Sequence, residues 1–114
     1  MGSVLADVGR EELWQKVEDG DELVLVDALP PISFAASHLP GAINIPPGTE
    51  DERARRRIPD LAAEVVVYCM NPTCYSSVSV ANRLTELGYR NVRHYPGGKE
   101  EWIAAGLPLE GGRA

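Results

Sequence analysis

Short apolar runs alternate with amphipathic segments along this chain. The apolar runs cover residues 4–8, 23–26 and 42–45, and a further run begins at Val65; residues 91–95 are a short predicted strand of mixed composition. The segments between them have helical spacing or helix-favouring ends, at 10–19, 32–37, 49–58, 77–87 and 99–105. Strands that alternate with helices are typical of a parallel-sheet α/β domain, so this is the predicted fold class.

Residues 65–89 are the part of the chain around which the rest is predicted to be organised. The stretch begins as a continuous β-branched run, which suits a strand buried on both faces. It ends as a helix, because Val78, Ala81, Leu84 and Leu87 recur at helical spacing before Gly88. A short polar loop connects the two elements and starts with Cys69 at the carboxyl end of the strand.

A strand that leads through a tight loop into a helix provides an anion-binding site made of backbone. The first N–H groups of a helix have no intrahelical acceptor, and the helix dipole adds partial positive charge there. We therefore expect the pKa of Cys69 to be lowered, so that it acts as a thiolate nucleophile.

Size and charge limit the classes of protein that need to be considered. The 114 residues are predicted to form one domain, 1–114, with loose ends at about 1–3 and 111–114. The net charge of −6 argues against nucleic acid as a partner. No apolar run approaches the roughly 18 residues of a membrane span, and no secretory signal is evident at the amino-terminus. We expect a cytoplasmic protein with no membrane partner.

The cysteines and histidines do not have metal-binding spacing. The chain has two of each, but four residues separate Cys69 from Cys74, and His38 and His94 are far apart in sequence. Two cysteines in a cytoplasmic protein favour catalytic or redox chemistry over a structural role. No metal and no cofactor are expected.

Asp27 and His38 are two further candidates, in supporting roles. Asp27 ends the second predicted strand, where open α/β sheets place their ligand sites, but a turn carboxylate more often accepts hydrogen bonds from nearby backbone. His38 has a side chain whose ordinary pKa suits acid–base work, but it precedes the turn at Pro40 and Gly41. The structural interpretation is favoured for both residues.

Several segments together resemble the rhodanese-like domain family over nearly the whole chain. They are LVDALPPISFAASHLPGAINIP at 25–46, VVVYC at 65–69, a helix that ends in LGY, and NVRHYPGGKEEW followed by AGLP. The resemblance implies a three-layer fold with a central five-stranded parallel sheet. It also implies a sulfurtransferase in which Cys69 takes a sulfane sulfur from a donor, becomes a persulfide and passes the sulfur to a thiophilic acceptor.

The resemblance assigns substrate binding to the loop after the nucleophile. The residues concerned are Met70, Asn71, Thr73, Cys74, Tyr75, Ser76 and Ser77. The loop amides are expected to cradle the persulfide, and the hydroxyls of Ser76 and Ser77 to cap the helix or touch substrate. The partners implied are a small sulfur donor, such as thiosulfate, a polysulfide or a persulfide, and a thiol or cyanide-like acceptor. A persulfidated partner protein is a further possible donor.

The loop differs from the common family pattern in two ways. It is about two residues longer and carries no arginine: Ser76 stands where such loops usually have one, and Tyr75 fills the arginine position of a Cys-x5-Arg phosphatase loop. This argues against a phosphatase or arsenate reductase and disfavours thiosulfate, a dianion, as donor.

Cys74 is a further difference from the family pattern. It is either a resolving thiol for Cys69 or a small residue that packs the loop. The alternative functions are a non-catalytic sulfur-carrier or binding module and a Cys69–Cys74 redox sensor.

Overall fold

The structure, a computed structural model, describes residues 6–111. Five parallel strands form one sheet in the order β1-β5-β4-β2-β3. Their bounds are β1 Ala6–Asp7, β2 Val24–Asp27, β3 Ile43–Asn44, β4 Glu64–Tyr68 and β5 Asn91–Tyr95. The helices are α1 Arg10–Asp19, α2 Pro31–Ala36, α3 Asp51–Arg57, α4 Ser76–Glu86 and α5 Gly98–Ala104. The predicted α/β class and five-stranded parallel sheet are confirmed.

Alternating residues of β4 supply the two halves of the core. Val65 and Val67 face a cluster that includes Ala54 of α3, its C-cap residue Ile58, and Val80, Ala81 and Leu84 of α4. Val66 and Tyr68 face the opposite cluster, which includes Leu13 of α1 and Trp102 of α5. Helices therefore cover both faces of the sheet, and this explains why the central strand is apolar throughout.

The order of the strands changes the direction of the crossover connections between β2 and β4. From β2 the chain crosses to β3 at one edge, whereas from β4 it crosses the other way to β5. Such a change of direction separates the connecting loops at the carboxyl ends of the two strands, and open α/β sheets bind ligands there. Asp27 ends β2 and pairs in register with Tyr68, so Cys69 follows directly beside it. The topology alone therefore directs attention to these residues.

Four sequence-based details need correction or lie outside the described residues. The sequence pattern of residues 99–105 predicts that Ile103 is buried together with Trp102, but Ile103 is 50% exposed, because the short α5 turns only one face to the sheet. Val80, rather than Val78, is the buried valine of α4. Thr49 is a possible cap of the predicted helix at 49–58, but Glu50 is the N-cap of α3, and the Thr49 hydroxyl donates to the Pro46 carbonyl. The predicted loose ends fall almost wholly outside residues 6–111.

None of the helices in residues 6–111 has both the length and the apolar composition needed to cross a membrane.

Candidate active site

Cys69 is the residue at which the buried strand β4 gives way to the loop. It is 1% exposed, and its carbonyl accepts a hydrogen bond of 2.9 Å from the Lys99 N–H. The next carbonyl, of Met70, accepts one of the same length from the Glu100 N–H. The first turn of α5 therefore binds two successive backbone carbonyls, those of Cys69 and Met70.

Gly98 is what permits this close approach. Its φ of +69° lies in the left-handed region, which favours glycine, and a Cβ built there would lie 2.7 Å from the Cys69 carbonyl oxygen and 2.7 Å from the Met70 carbonyl carbon. Any side chain at this position would meet rigid backbone. The glycine therefore allows the start of α5 to pack directly against the backbone of the candidate nucleophile.

The middle of the loop is held by Asn71. Its side-chain oxygen accepts hydrogen bonds from the Thr73 N–H at 3.2 Å and the Thr73 hydroxyl at 2.8 Å. Its carbonyl accepts from the Cys74 N–H at 3.1 Å. This is an Asx-type turn, in which a side chain replaces a backbone acceptor and fixes the bend. Asn71 and Thr73, predicted to bind substrate, are engaged with each other in this structure.

The beginning of α4 supplies free amides, as predicted. The first hydrogen bond of the helix runs from the Ser79 N–H to the Tyr75 carbonyl at 3.0 Å, so the N–H groups of residues 76–78 precede any intrahelical bond. Tyr75 is the N-cap residue, and no side chain forms a capping hydrogen bond with the N–H groups of the helix. The expectation that Ser76 or Ser77 caps the helix is therefore wrong, because the helix begins at Ser76 itself.

A disulfide joins Cys69 to Cys74 across the loop. Their Cα atoms are 6.3 Å apart, within the range that a disulfide can span. These are the chain's two cysteines, so both are engaged in the bond. Cys69 is buried and Cys74 is only partly buried, while the adjacent Tyr75 is 79% exposed. The loop can therefore hold its two sulfur atoms in direct contact.

His94 of β5 lies beside the start of α4. Its Nε2 is 2.8 Å from the buried Ser77 hydroxyl, and its Nδ1 is 3.8 Å from a carboxylate oxygen of Asp7. Burial lowers the pKa of His94 below its ordinary value, and the Asp7 carboxylate opposes that shift. At neutral pH the ring is accordingly neutral and can accept a hydrogen bond from Ser77.

Asp27 is completely buried and hydrogen-bonded at both carboxylate oxygens. Oδ1 accepts from the Leu29 N–H at 2.8 Å, and Oδ2 accepts from the Tyr68 hydroxyl at 2.8 Å. The Tyr68 hydroxyl in turn accepts from the Leu39 N–H at 3.0 Å. Burial raises the pKa of Asp27, although both of its hydrogen bonds oppose the shift. Asp27 thus links the loop after β2 to the last residue of β4.

Lys99 is a buried amine whose charge interacts with that of Asp27. The residue is 4% exposed, and its Nζ donates to the Ser33 carbonyl at 3.1 Å. Burial lowers the pKa of Lys99, while the negative charge of Asp27 favours its protonated form. Lys99 is therefore held by its side chain at Ser33 and by its backbone at the Cys69 carbonyl.

His38 does not join the loop residues. Its ring stacks on Phe34 with centroids 3.9 Å apart, and its Nδ1 lies 2.8 Å from the Phe34 carbonyl. Its backbone exchanges hydrogen bonds of 3.0 and 2.8 Å with Glu110. These contacts tie α2 to the segment that follows α5.

Sequence reasoning assigned no role to His94, Lys99 or Tyr68. His94 lies in a predicted strand, where a polar side chain needs a partner, and Lys99 directly follows two glycines. These two features could have drawn attention to His94 and Lys99, but neither feature identifies the residue that each side chain contacts. Within residues 6–111, no three His, Cys, Asp or Glu side chains converge to hold a metal ion.

The fold and the loop together define an α/β domain with a cysteine at the carboxyl end of its central strand, and comparison with known proteins identifies its family. The family model described as the rhodanese-like domain matches residues 9–105, so this chain belongs to the rhodanese-like domain family. The resemblance read from the sequence is confirmed.

Two curated proteins and one solved structure illustrate the relationship. The chain is 34% identical to an HTH-type transcriptional regulator of Mycobacterium tuberculosis over 112 residues, which cover 98% of this chain and 48% of the regulator. It thus spans about half the length of that relative. It is 30% identical to the thiosulfate sulfurtransferase GlpE of Haemophilus influenzae over 100 residues, 88% of this chain and 90% of that protein.

The solved structure supports the fold. A crystal structure of a Bacillus halodurans protein superposes with a TM-score of 0.86 at 24% identity, covering 93% of this chain and 77% of that one. The likeness to a thiosulfate sulfurtransferase supports sulfurtransferase chemistry at the level of the family.

Proposed function

We propose that this domain is a sulfurtransferase in which Cys69 carries a sulfane sulfur as a persulfide. The observation that carries the proposal is the position of Cys69, at the carboxyl end of the buried central strand and at the start of a loop that leads into uncapped helix amides. Amides so placed stabilise an anionic sulfur much as they would an oxyanion.

The reaction consists of two displacements at sulfur. The Cys69 thiolate attacks the sulfane sulfur of the donor, a new S–S bond forms, and the donor's own S–S bond breaks with its electrons leaving on the remaining fragment. An acceptor thiolate or cyanide ion then attacks the outer sulfur and regenerates the Cys69 thiolate. No side chain needs to remove a proton in the first step, since the nucleophile is already a thiolate.

The charges of the loop favour certain donors. Residues 70–77 contain no cationic side chain, and the chain has a net charge of −6. A dianion such as thiosulfate therefore gains little electrostatic attraction. Polysulfides, small persulfides or a persulfidated partner protein depend less on such a contact. We propose a cytoplasmic setting, where reducing thiols keep both cysteines reduced between turnovers.

Intact mass spectrometry tests this function. The reduced protein is incubated separately with thiosulfate, inorganic polysulfide and glutathione persulfide, and the Cys69→Ser variant is treated identically. We expect an adduct of about 32 Da with polysulfide or persulfide, or its downstream disulfide product, and neither in Cys69→Ser. A fourth incubation uses a persulfidated protein as the donor. No sulfur-derived product from any of the four donors would exclude the sulfurtransferase, and loading only from the persulfidated protein would select the sulfur-carrier alternative.

The disulfide favours a second function, a redox sensor that uses Cys69 and Cys74. Mild oxidation would then remove two hydrogens, about 2 Da, in a form that a reductant reverses. Two free thiols that persist under oxidant would exclude this function and leave the sulfurtransferase proposal untouched.

A further inference from the structure

We propose that Cys74 is a resolving thiol, which attacks the Cys69 persulfide and releases hydrosulfide. The domain would then act as a sulfane-sulfur reductase as well as a carrier. This inference rests on the proposed function, because it requires a persulfide on Cys69, but it makes predictions of its own about Cys74.

The structure shows the product of this step. Cys69 and Cys74 are joined by a disulfide with Cα atoms 6.3 Å apart. The turn between them is built by Asn71, which holds the Cys74 N–H at 3.1 Å through its carbonyl and Thr73 through its side chain. The geometry that brings Cys74 to Cys69 is therefore supported by hydrogen bonds that do not depend on the S–S bond.

Atoms and electrons balance without any external oxidant. The Cys74 thiolate attacks Cys69 Sγ, the inner sulfur of the persulfide, so the Sγ–Sγ bond forms and the bond from Cys69 Sγ to the sulfane sulfur breaks. Hydrosulfide leaves with the electron pair of that bond and takes up the proton that the Cys74 thiol gives up, because the persulfide itself is an anion. The sulfane sulfur is reduced to sulfide while the two cysteines are oxidised to a disulfide.

Proximity favours the internal thiol over an acceptor from solution. The loop holds the Cα atoms of Cys69 and Cys74 6.3 Å apart, within the span of a disulfide. Cys74 is already inside the loop, and an intramolecular partner acts at a high effective concentration.

A dithiol reductant would close the cycle. Cys74 is more exposed than Cys69, so it is the sulfur that an incoming thiolate can reach. Attack on Cys74 Sγ expels the Cys69 thiolate, which lies at the helix amides and is ready for the next donor. A second thiolate of the reductant then frees Cys74 and leaves the reductant as its own disulfide.

A single-turnover experiment tests the resolving step. Reduced wild type, Cys74→Ser, Cys74→Ala and Cys69→Ser each receive one equivalent of glutathione persulfide without added thiol. Intact mass and free sulfide, corrected for donor alone, are followed with time. We expect wild type to lose about 2 Da and release one sulfide per disulfide, while both Cys74 variants keep an adduct of about 32 Da and release sulfide at least tenfold more slowly.

The outcomes separate this inference from the proposed function. A stable persulfide of equal lifetime in wild type and Cys74→Ser would overturn the resolving role and leave the sulfurtransferase intact. A wild-type disulfide without matching sulfide would also overturn it, because the pair would then have been oxidised directly. No adduct in the Cys74 variants, with circular dichroism spectra unchanged from wild type, would overturn the proposed function itself.

Discussion

The hydroxyl of Ser77 and Nε2 of His94 lie 2.8 Å apart, and this contact joins the first turn of α4 to strand β5. His94 pairs in register with Val67, two residues before Cys69 on the neighbouring strand. The contact therefore fixes the uncapped end of the helix relative to the strand that carries the candidate nucleophile. The anion binding that we propose depends on that relative position, since the amides act over a short range.

Removing either partner of this contact should destabilise the domain. His94→Leu leaves the buried Ser77 hydroxyl without its partner, at a cost of about 1–3 kcal/mol in the free energy of unfolding. A double-mutant cycle with Ser77→Ala, measured by urea unfolding, should give a coupling energy above about 0.5 kcal/mol. Strictly additive effects would show that the two side chains do not stabilise each other.

Acid should weaken the wild-type domain through His94. Burial lowers the pKa of His94 in the folded protein below the ordinary 6.5. At a pH between the folded-state pKa and 6.5, the unfolded chain therefore binds more protons than the folded one. The neutral ring thus contributes stability that is present above pH 6.5 and lost as the pH falls through 6.5 and the lower folded-state pKa. Urea unfolding from pH 5 to 8 should show a shallower decline in His94→Gln, and parallel curves would contradict the assignment.

Gly98→Ala should disrupt the position of Cys69. The added Cβ would lie 2.7 Å from the Cys69 carbonyl oxygen, in addition to the strain of a φ of +69°. We expect a loss of more than about 2 kcal/mol in the free energy of unfolding, with slower persulfide loading in whatever fraction stays folded.

Gly106→Ala is the matched control for this substitution. Gly106 has a φ of +74° but no atom within 4 Å of the built Cβ, so only backbone strain remains, about 1 kcal/mol. Equal losses of stability and of loading in the two variants would show that the contact with Cys69 is unimportant.

The spacing of apolar residues and the positions of glycine and proline predicted most of the fold. β5 was predicted with its observed bounds, Asn91–Tyr95, because a short segment lies between the helix stop at Gly88 and the Pro-Gly-Gly turn. Ile103 was placed wrongly, because a helix of two turns offers too few positions to define its buried face. Which residue of a short helix is buried depends on the neighbouring elements, and local spacing does not specify those.

The candidate site was predictable where it depends on local sequence. Cys69 follows an apolar run and precedes a helix, and both features lie within a few residues of it. The partners of Asp27 were not predictable, because Tyr68 is 41 residues away in sequence. The same holds for Ser77 with His94 and for Lys99 with Ser33, since only the sheet order brings these residues together.

Tyr68→Phe should lower the free energy of unfolding, because it breaks the link between Asp27 of β2 and Tyr68 of β4. The change removes a donor from Asp27 and an acceptor from the Leu39 N–H, so two buried polar groups lose a partner. We expect a loss of about 1–3 kcal/mol per unsatisfied group before relaxation, measured by urea unfolding. Tyr75→Phe is the control, because Tyr75 is 79% exposed and should change stability by less than about 0.5 kcal/mol.

Placing a cation in the loop should change the preference for donors. Ser76 begins α4 beside the candidate anion site, and the loop has no charge to balance a dianion. Ser76→Arg should lower KM for thiosulfate by about tenfold, as expected for a charge-assisted hydrogen bond to a partly exposed site. High salt should reduce the gain because it screens the added charge.

Ser79→Arg separates this local contact from a general gain in positive charge. Ser79 is exposed on the same helix and one turn further from the loop, so the variant has the same net charge as Ser76→Arg. It should change KM for thiosulfate by less than about twofold, since a screened charge at greater distance attracts a small anion weakly. An equal gain in both variants would mean that overall charge, and not the uncharged loop, limits the use of thiosulfate.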